Sequence, residues 1–380
     1  MSYNWDLIAV TGINRRKFCL LLGCGLFAPQ LLASQQVAEQ QRWFASAAQS
    51  AAGAFELTVV STVGQTMLKH PLPARAHHVE LHPFKPLLAA VGRRPEQFID
   101  IVNLRTGQLE KRVTAEANHH FYGHAIFSAD GRYLISTENK ISTGQGQIVL
   151  RDIEDNYQVV HQYSSAGIGP HELKMMPDGE TLVVANGGIF THPERGREKL
   201  NLDTMQPSLA YIDSSTGALK EQVFLPEEMH QLSIRHIDIN SLGRVVIALQ
   251  YQGEKYDDVP LVAFHSPGKE IELVRAPDQI NNAMKQYCGS ARFDRSGQIA
   301  AISSPRGDLV TFWNQHGEFL TSTRAADGCG LAAMEEDGNF LISTGRGHCY
   351  TYNAFTAEKT KFPLTGLGRV SWDNHLTSLS

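Results

Sequence analysis

Sixteen histidines in a chain of 380 residues make the imidazole the side chain most able to do chemistry here. Four of them hold one repeated position. His78, His124, His171 and His236 each stand seven or eight residues ahead of a turn, at Lys85, Gly131, Gly179 and Gly243 respectively. Neutral imidazole is the common ligand of iron, copper, zinc and nickel, and a ring of them on a rigid scaffold needs no local spacing signature. Glu138, Glu172 and Asp238 offer a carboxylate ligand, or a partner that holds the second ring nitrogen in one tautomer. The expectation is a transition-metal site, iron or copper, with His78, His124, His171 and His236 as ligands. His77, His119, His120, Glu138, Glu172, Asn186, His192, Arg197, Arg235 and Gln250 are expected beside it or in the loops above it. Such a site weakens below about pH 6, as the imidazoles protonate.

Other chemistry has less support. No Ser-His-Asp order, glycine-rich phosphate loop or CxxC is present, and the absence of CxxCH excludes covalent c-type haem. Arg75, Arg235, Arg292 and Arg369 stand near strand starts, and Arg93, Arg306 and Arg346 near strand ends. A ring of them would attract an anion, although solvated or ion-paired arginines fit the same pattern. Cys288 and Cys329 each lie nine residues before a turn glycine. They read as soft ligands, as a disulfide between adjacent blades or, most simply, as small buried residues.

The element that positions the histidines is a repeat. Phe121–Thr137 (FYGHAIFSADGRYLIST) reads as a loop, a histidine, a strand, a tight turn and a second strand. The same pattern recurs at His171–Ala185 and His236–Leu249, and more weakly at Ser290–Ser303 and Leu331–Thr344. His78–Val91 fits with Lys85 in place of the turn glycine. Short strands with Asp-Gly-type turns at this period are the mark of propeller blades. The fold expected is all-β: a single seven-bladed β-propeller over residues 55–380. Its last blade takes two strands from Gly368–Trp372 and His375–Leu379 and two from Phe55–Leu72, so that the ring has no open edge. Strand a of each blade then lines the central channel, and the b–c loops open on the histidine side. Those loops are long at Glu138–Gly146, Asn186–Pro207 and Gln250–Pro260, so function belongs on that face.

A hydrophobic content of 42% and a net charge of -5 describe an ordinary globular protein with no basic excess for nucleic acid. At the N-terminus, Arg15-Arg16-Lys17-Phe18 precedes the apolar run Cys19–Leu32. That run is too short for a stable membrane span and resembles a twin-arginine export signal over residues 1–33. Asn14, Cys19 and Leu20 depart from that pattern. The remainder of the N-terminal part, 34–54, reads as a linker or short helix, and the expected location is the periplasm.

Tyr122-Gly123-His124 resembles the Gly-His of WD40 blades, where the histidine bonds within its own blade and binds nothing. The Asp and Trp partners of that network are missing, and the doubled His77-His78 and His119-His120 are unexplained by it. The twin-arginine start, the histidine-opened blades, the block Val183–Ser208 (VVANGGIFTHPERGREKLNLDTMQPS) and Ser233-Ile234-Arg235-His236 together resemble the DUF1513 family of exported bacterial proteins. That family is similar to YVTN-type and quinoprotein-like seven-bladed propellers. The resemblance implies a setting beside imelysin-like or dihaem-peroxidase-like periplasmic proteins, and so a role in iron or other metal handling. Two readings follow: a periplasmic metal-binding protein, or an interaction platform of an uptake system with no metal of its own. A lactonase-like enzyme would need a carboxylate-rich calcium site, and this face is rich in imidazole instead.

Overall fold

A computed structural model describes residues 43–379 of the chain. The segments 1–33 and 34–42, with the export signal expected there, lie outside the described residues. Seven antiparallel sheets follow one another around a central channel, six of them built from strands consecutive in sequence and one from the two chain ends. Blade 2 shows how the sequence builds one. His119–Phe127 runs along the channel, Gly131 turns the chain, and Tyr133–Lys140, Gln145–Asp152 and Gln158–Ile168 follow outward. Gly131 sits at a φ of 70°, which a side chain would strain.

Apolar residues alternate along these strands, so each sheet has an apolar face toward both neighbours. Ile126, Ile135, Ile148 and Leu150 of blade 2 pack on Leu173, Leu182, Val184, Ala210 and Ile212 of blade 3. Leu134 points the other way, to Val91, Ile99 and Ile101 of blade 1. Such sheet-on-sheet burial is the main stabilising force of the ring, at about 25 cal/mol per Å² of apolar surface.

Closure by the two chain ends is present, with a different division of labour from the one expected. Val370–Trp372 and Thr377–Leu379 are two halves of a single inner strand, and both pair with Trp43–Ser50. Phe55–Ser61 and Thr66–Leu72 complete the sheet. Residues 43–50, expected inside a linker, therefore form the second strand of the closing blade. Their run WFASAAQS reads as helix or linker by propensity. Pairing on both edges and burial of Phe44, Ala45, Ala47 and Ala48 override that preference. Among the described residues no helix is long and apolar enough to cross a membrane.

Candidate metal centre at the channel mouth

Strand alternation would send His77 and His78 to opposite faces of their blade. Both instead turn toward the channel, because the inner strand is irregular at that point. The pairing with the second strand slips between Ala76 and His78 in blade 1, between Phe121 and Ala125 in blade 2, between Pro170 and Glu172 in blade 3, and between Ile234 and His236 in blade 4. A bulge adds a residue and re-aims its side chain. Two tiers result. One holds His78, His124, Glu172 and His236, all seven residues before the turn. The other holds His77, Gly123, His171 and Arg235, all eight before it. In blade 2 the second tier is a glycine at φ 106°, where a Cβ would come within 2.9 Å of the His77 ring. His375 fills the break between the two halves of the closing inner strand, where Ser46 Oγ donates to its carbonyl oxygen at 2.6 Å.

Six imidazoles thus meet at one place: His77, His78, His124, His171, His236 and His375, each at most 7% exposed. Neighbouring ring centroids lie between 4.6 Å (His77–His375, His171–His236, His236–His375) and 6.0 Å (His77–His236) apart. Three groups of donors, each with its ligand atoms within 4.8 Å of one another, occur among them: His77, His124 and His171; His77, His236 and His375; and His124, Glu172 and His236. Donors about 2.1 Å from one ion lie about 3.0–3.4 Å apart when adjacent and about 4.2 Å when opposite. His124 Nε2 to His375 Nε2 is 3.1 Å, and His236 Nδ1 to Glu172 Oε2 is also 3.1 Å. The cluster could hold a metal ion.

Burial depresses all six imidazole pKa values, His124 to about 3, so the rings are neutral near pH 7. Burial alone would raise the Glu172 carboxyl, but His124, Lys174 and His236 outweigh it and hold the group well below the usual carboxylate range. The backbone N–H of Ile237 also donates to Glu172, at 3.2 Å. Asp373 accepts from His77 Nδ1 at 3.2 Å and pairs with Arg75, which orients the His77 ring. Below the imidazoles, His78 Nε2 faces Glu80 at 3.5 Å. Burial pushes the Glu80 carboxyl up to about 7, with Lys174 and Arg292 pulling against that rise.

Histidines that serve the fold look different. His82 has both nitrogens engaged, Nε2 by the Gly131 carbonyl at 2.9 Å and Nδ1 by the N–H groups of Phe84 and Lys85 at 3.0 Å. His265 is likewise satisfied, by Tyr211 Oη at 2.7 Å and the Lys269 carbonyl at 2.8 Å. In the cluster, His77 Nε2 and the Nδ1 atoms of His78, His124 and His171 are buried with no hydrogen-bond partner, as is Nδ1 of His119 outside it. Buried polar groups are rarely left so, and a bound ion or ordered water is among the reasons for an exception.

Of the four ligands expected, His124, His171 and His236 belong to these donor groups, while His78 sits one step aside, toward Glu80. His77, expected in support, is central. His375, expected as the start of a strand, lies between two strands and has no turn glycine after it to mark its register. Glu172 stands at the tier position itself. Glu138 is remote: it lies within the second strand of blade 2, not in a long loop, and is paired with buried Arg151 at 2.6 Å. His119 and His120 precede the bulge and stay outside the cluster, with His120 against Tyr122. Asn186 bonds the Ser165 carbonyl at 2.8 Å, and His192 caps a short turn. Arg197, Arg235 and Gln250 line the cavity above the imidazoles. Cys288, Cys329 and Cys349 are buried free thiols, their pKa values pushed up by burial.

A family model described as "Protein of unknown function (DUF1513)" matches residues 70–379. No curated protein matches the chain. Among solved structures, hydrazine synthase of Kuenenia stuttgartiensis superimposes with a TM-score of 0.58 at 14% identity, covering 84% of this chain and 94% of that one. A chain of the mitotic checkpoint complex does so with a TM-score of 0.55 at 10% identity, covering 75% and 78% respectively. These likenesses are of fold alone.

Proposed function

This chain belongs to the DUF1513 family, and we propose that it binds one transition-metal ion, iron or copper, in the imidazole cluster at the channel mouth. The observation that carries the reading is the convergence of buried, neutral imidazoles from five blades with several ring nitrogens lacking partners. His124, Glu172 and His236 make a two-histidine, one-carboxylate set, the combination that suits non-haem iron. Sets made only of imidazole suit copper as well. The donors are ready at neutral pH, so binding displaces few protons, and five of the six imidazoles sit on inner strands. In this reading the protein works in the periplasm, reached by its twin-arginine-type segment. It handles metal there beside imelysin-like or dihaem-peroxidase-like proteins.

The test is titration of chelator-treated protein with Fe(II), Cu(II) and Zn(II), comparing the natural chain with a His124→Ala/His171→Ala variant. Loss of two ligands should weaken binding of the cognate ion by at least about 100-fold. Equal affinity and stoichiometry in both proteins, with unchanged melting curves, would leave an interaction platform as the better reading.

A further inference from the structure

Directly above the imidazoles lies a cavity of ≈ 300 Å³. Its floor is His77, His171 and His236. Its walls carry Arg93, Arg94, Arg197, Lys199, Arg235 and Arg306, and none of the residues lining it is Asp or Glu. We propose that this cavity is a binding site for a small oxyanion bearing several carboxylate or phosphate groups.

The six cations arrive from four blades: the loops after the second strands of blades 1, 3 and 5, and the inner strand of blade 4. None forms an ion pair with a carboxylate among the described residues. Arg94 donates to Thr191 Oγ1 and lies 6.0 Å from the Tyr122 ring centroid. Arg306 stacks on Tyr287 at 4.1 Å. Arg235, the blade 4 counterpart of His77 and His171, has its Nε without a partner. Such stacking fixes guanidinium planes while leaving their N–H forks free, the arrangement that grips carboxylate or phosphate in two places.

The arrangement is costly without an anion. Burial, then its neighbour Arg75, lowers the Arg93 pKa to about 10 against the opposing pull of Asp373. Burial followed by Arg306 and Arg235 lowers that of Lys199. A fold selected for stability alone would place a carboxylate among these groups, as it does elsewhere: Arg112 pairs with Asp100 and Arg292 with Asp238. Gln250, Tyr251, Gln252 and Tyr287 add polar groups between the charges. The cavity is near the lower size limit of small-molecule sites, which favours a compact polyanion over a protein segment.

The cations, not the imidazoles, hold this ligand, so the inference stands apart from the metal site and is tested on metal-free protein. Calorimetric titration of the full chain with citrate and with inorganic phosphate is the measurement, with glycerol as a neutral control. We expect saturable one-to-one binding of at least one anion, weakened about tenfold or more in Arg235→Gln and again in Arg306→Gln. Raised salt should weaken binding too. The tighter of the two anions identifies the acid group recognised. Because the substitutions relieve repulsion, both variants should melt at or above the temperature of the natural protein, and Arg235→Lys should bind with intermediate affinity. Absence of saturable binding to both anions, or equal binding by the glutamine variants, overturns the proposal. Anion binding without metal binding would count against the metal centre alone, and the reverse result against this cavity alone.

Discussion

Blades 1 to 4 and blades 5 and 6 share a strand plan and differ in what they show the channel. At seven and eight residues before the turn, the first group carries His78 and His77, His124 and Gly123, Glu172 and His171, and His236 and Arg235. The same positions in blade 5 are Ser290 and Gly289, and in blade 6 Leu331 and Gly330. These two glycines admit close neighbours. A Cβ on Gly289 would meet Pro305 at 3.0 Å, and one on Gly330 would meet Ser343 Oγ at 2.4 Å and Leu376 at 3.0 Å. Leu376 follows His375, so the bare side of blade 6 is what lets the closing strand bring its imidazole in. A ring of like blades thus yields an asymmetric site, with imidazole and carboxylate donors on one arc and no such donors at the matching positions of the other.

Acid should expose this difference most strongly. The six cluster imidazoles have pKa values lowered in the folded protein, whereas in the unfolded chain they take up protons near pH 6.5. Stability is therefore retained above that pH and lost as pH falls below it. Each imidazole that stays neutral costs roughly 1 kcal/mol between pH 7 and 5.5. Glu80 has a raised pKa and acts in the opposite sense, offsetting little more than one imidazole. Metal-free protein should lose several kcal/mol over this range in urea unfolding. A midpoint that does not move between pH 7 and 5.5 would show that the imidazoles are not buried and neutral together.

Gly123→Ala should have the next largest effect. It places a methyl group 2.9 Å from the His77 ring at a φ of 106°. The expected cost is about 1–3 kcal/mol, with a loss of metal affinity through displaced His77. A variant with natural affinity and stability would show that blade 2 does not set the position of that ring.

The bare arc should tolerate change. Cys288→Ala removes a buried sulfur that donates weakly to the Leu261 carbonyl at 3.4 Å. It should cost roughly 1 kcal/mol by thermal unfolding and leave metal affinity unaltered. A large loss of affinity would place the thiol among the ligands and break the division between the arcs.

Blade count, blade order and the face that carries the loops were legible from the chain, because alternating apolar strands and turn glycines are local features that repeat. His124, His171 and His236 were legible for the same reason, through their distance from a turn. What lay beyond reach depended on strand pairing. The bulges that turn His77 and His78 inward together exist only against a second strand, so distance from the turn put His78 among the ligands and His77 only beside them. Trp43–Ser50 has the composition of a linker and becomes a strand because two edges separated by most of the chain meet on it. His375 enters the cluster through that same closure, with no motif of its own. Residue types and their repeat period are determined by the sequence alone. Which nitrogens share a few ångströms, and which cations stand above them with no ion-paired carboxylate, was decided by closing the ring, because only closure brings residues from remote blades to one mouth.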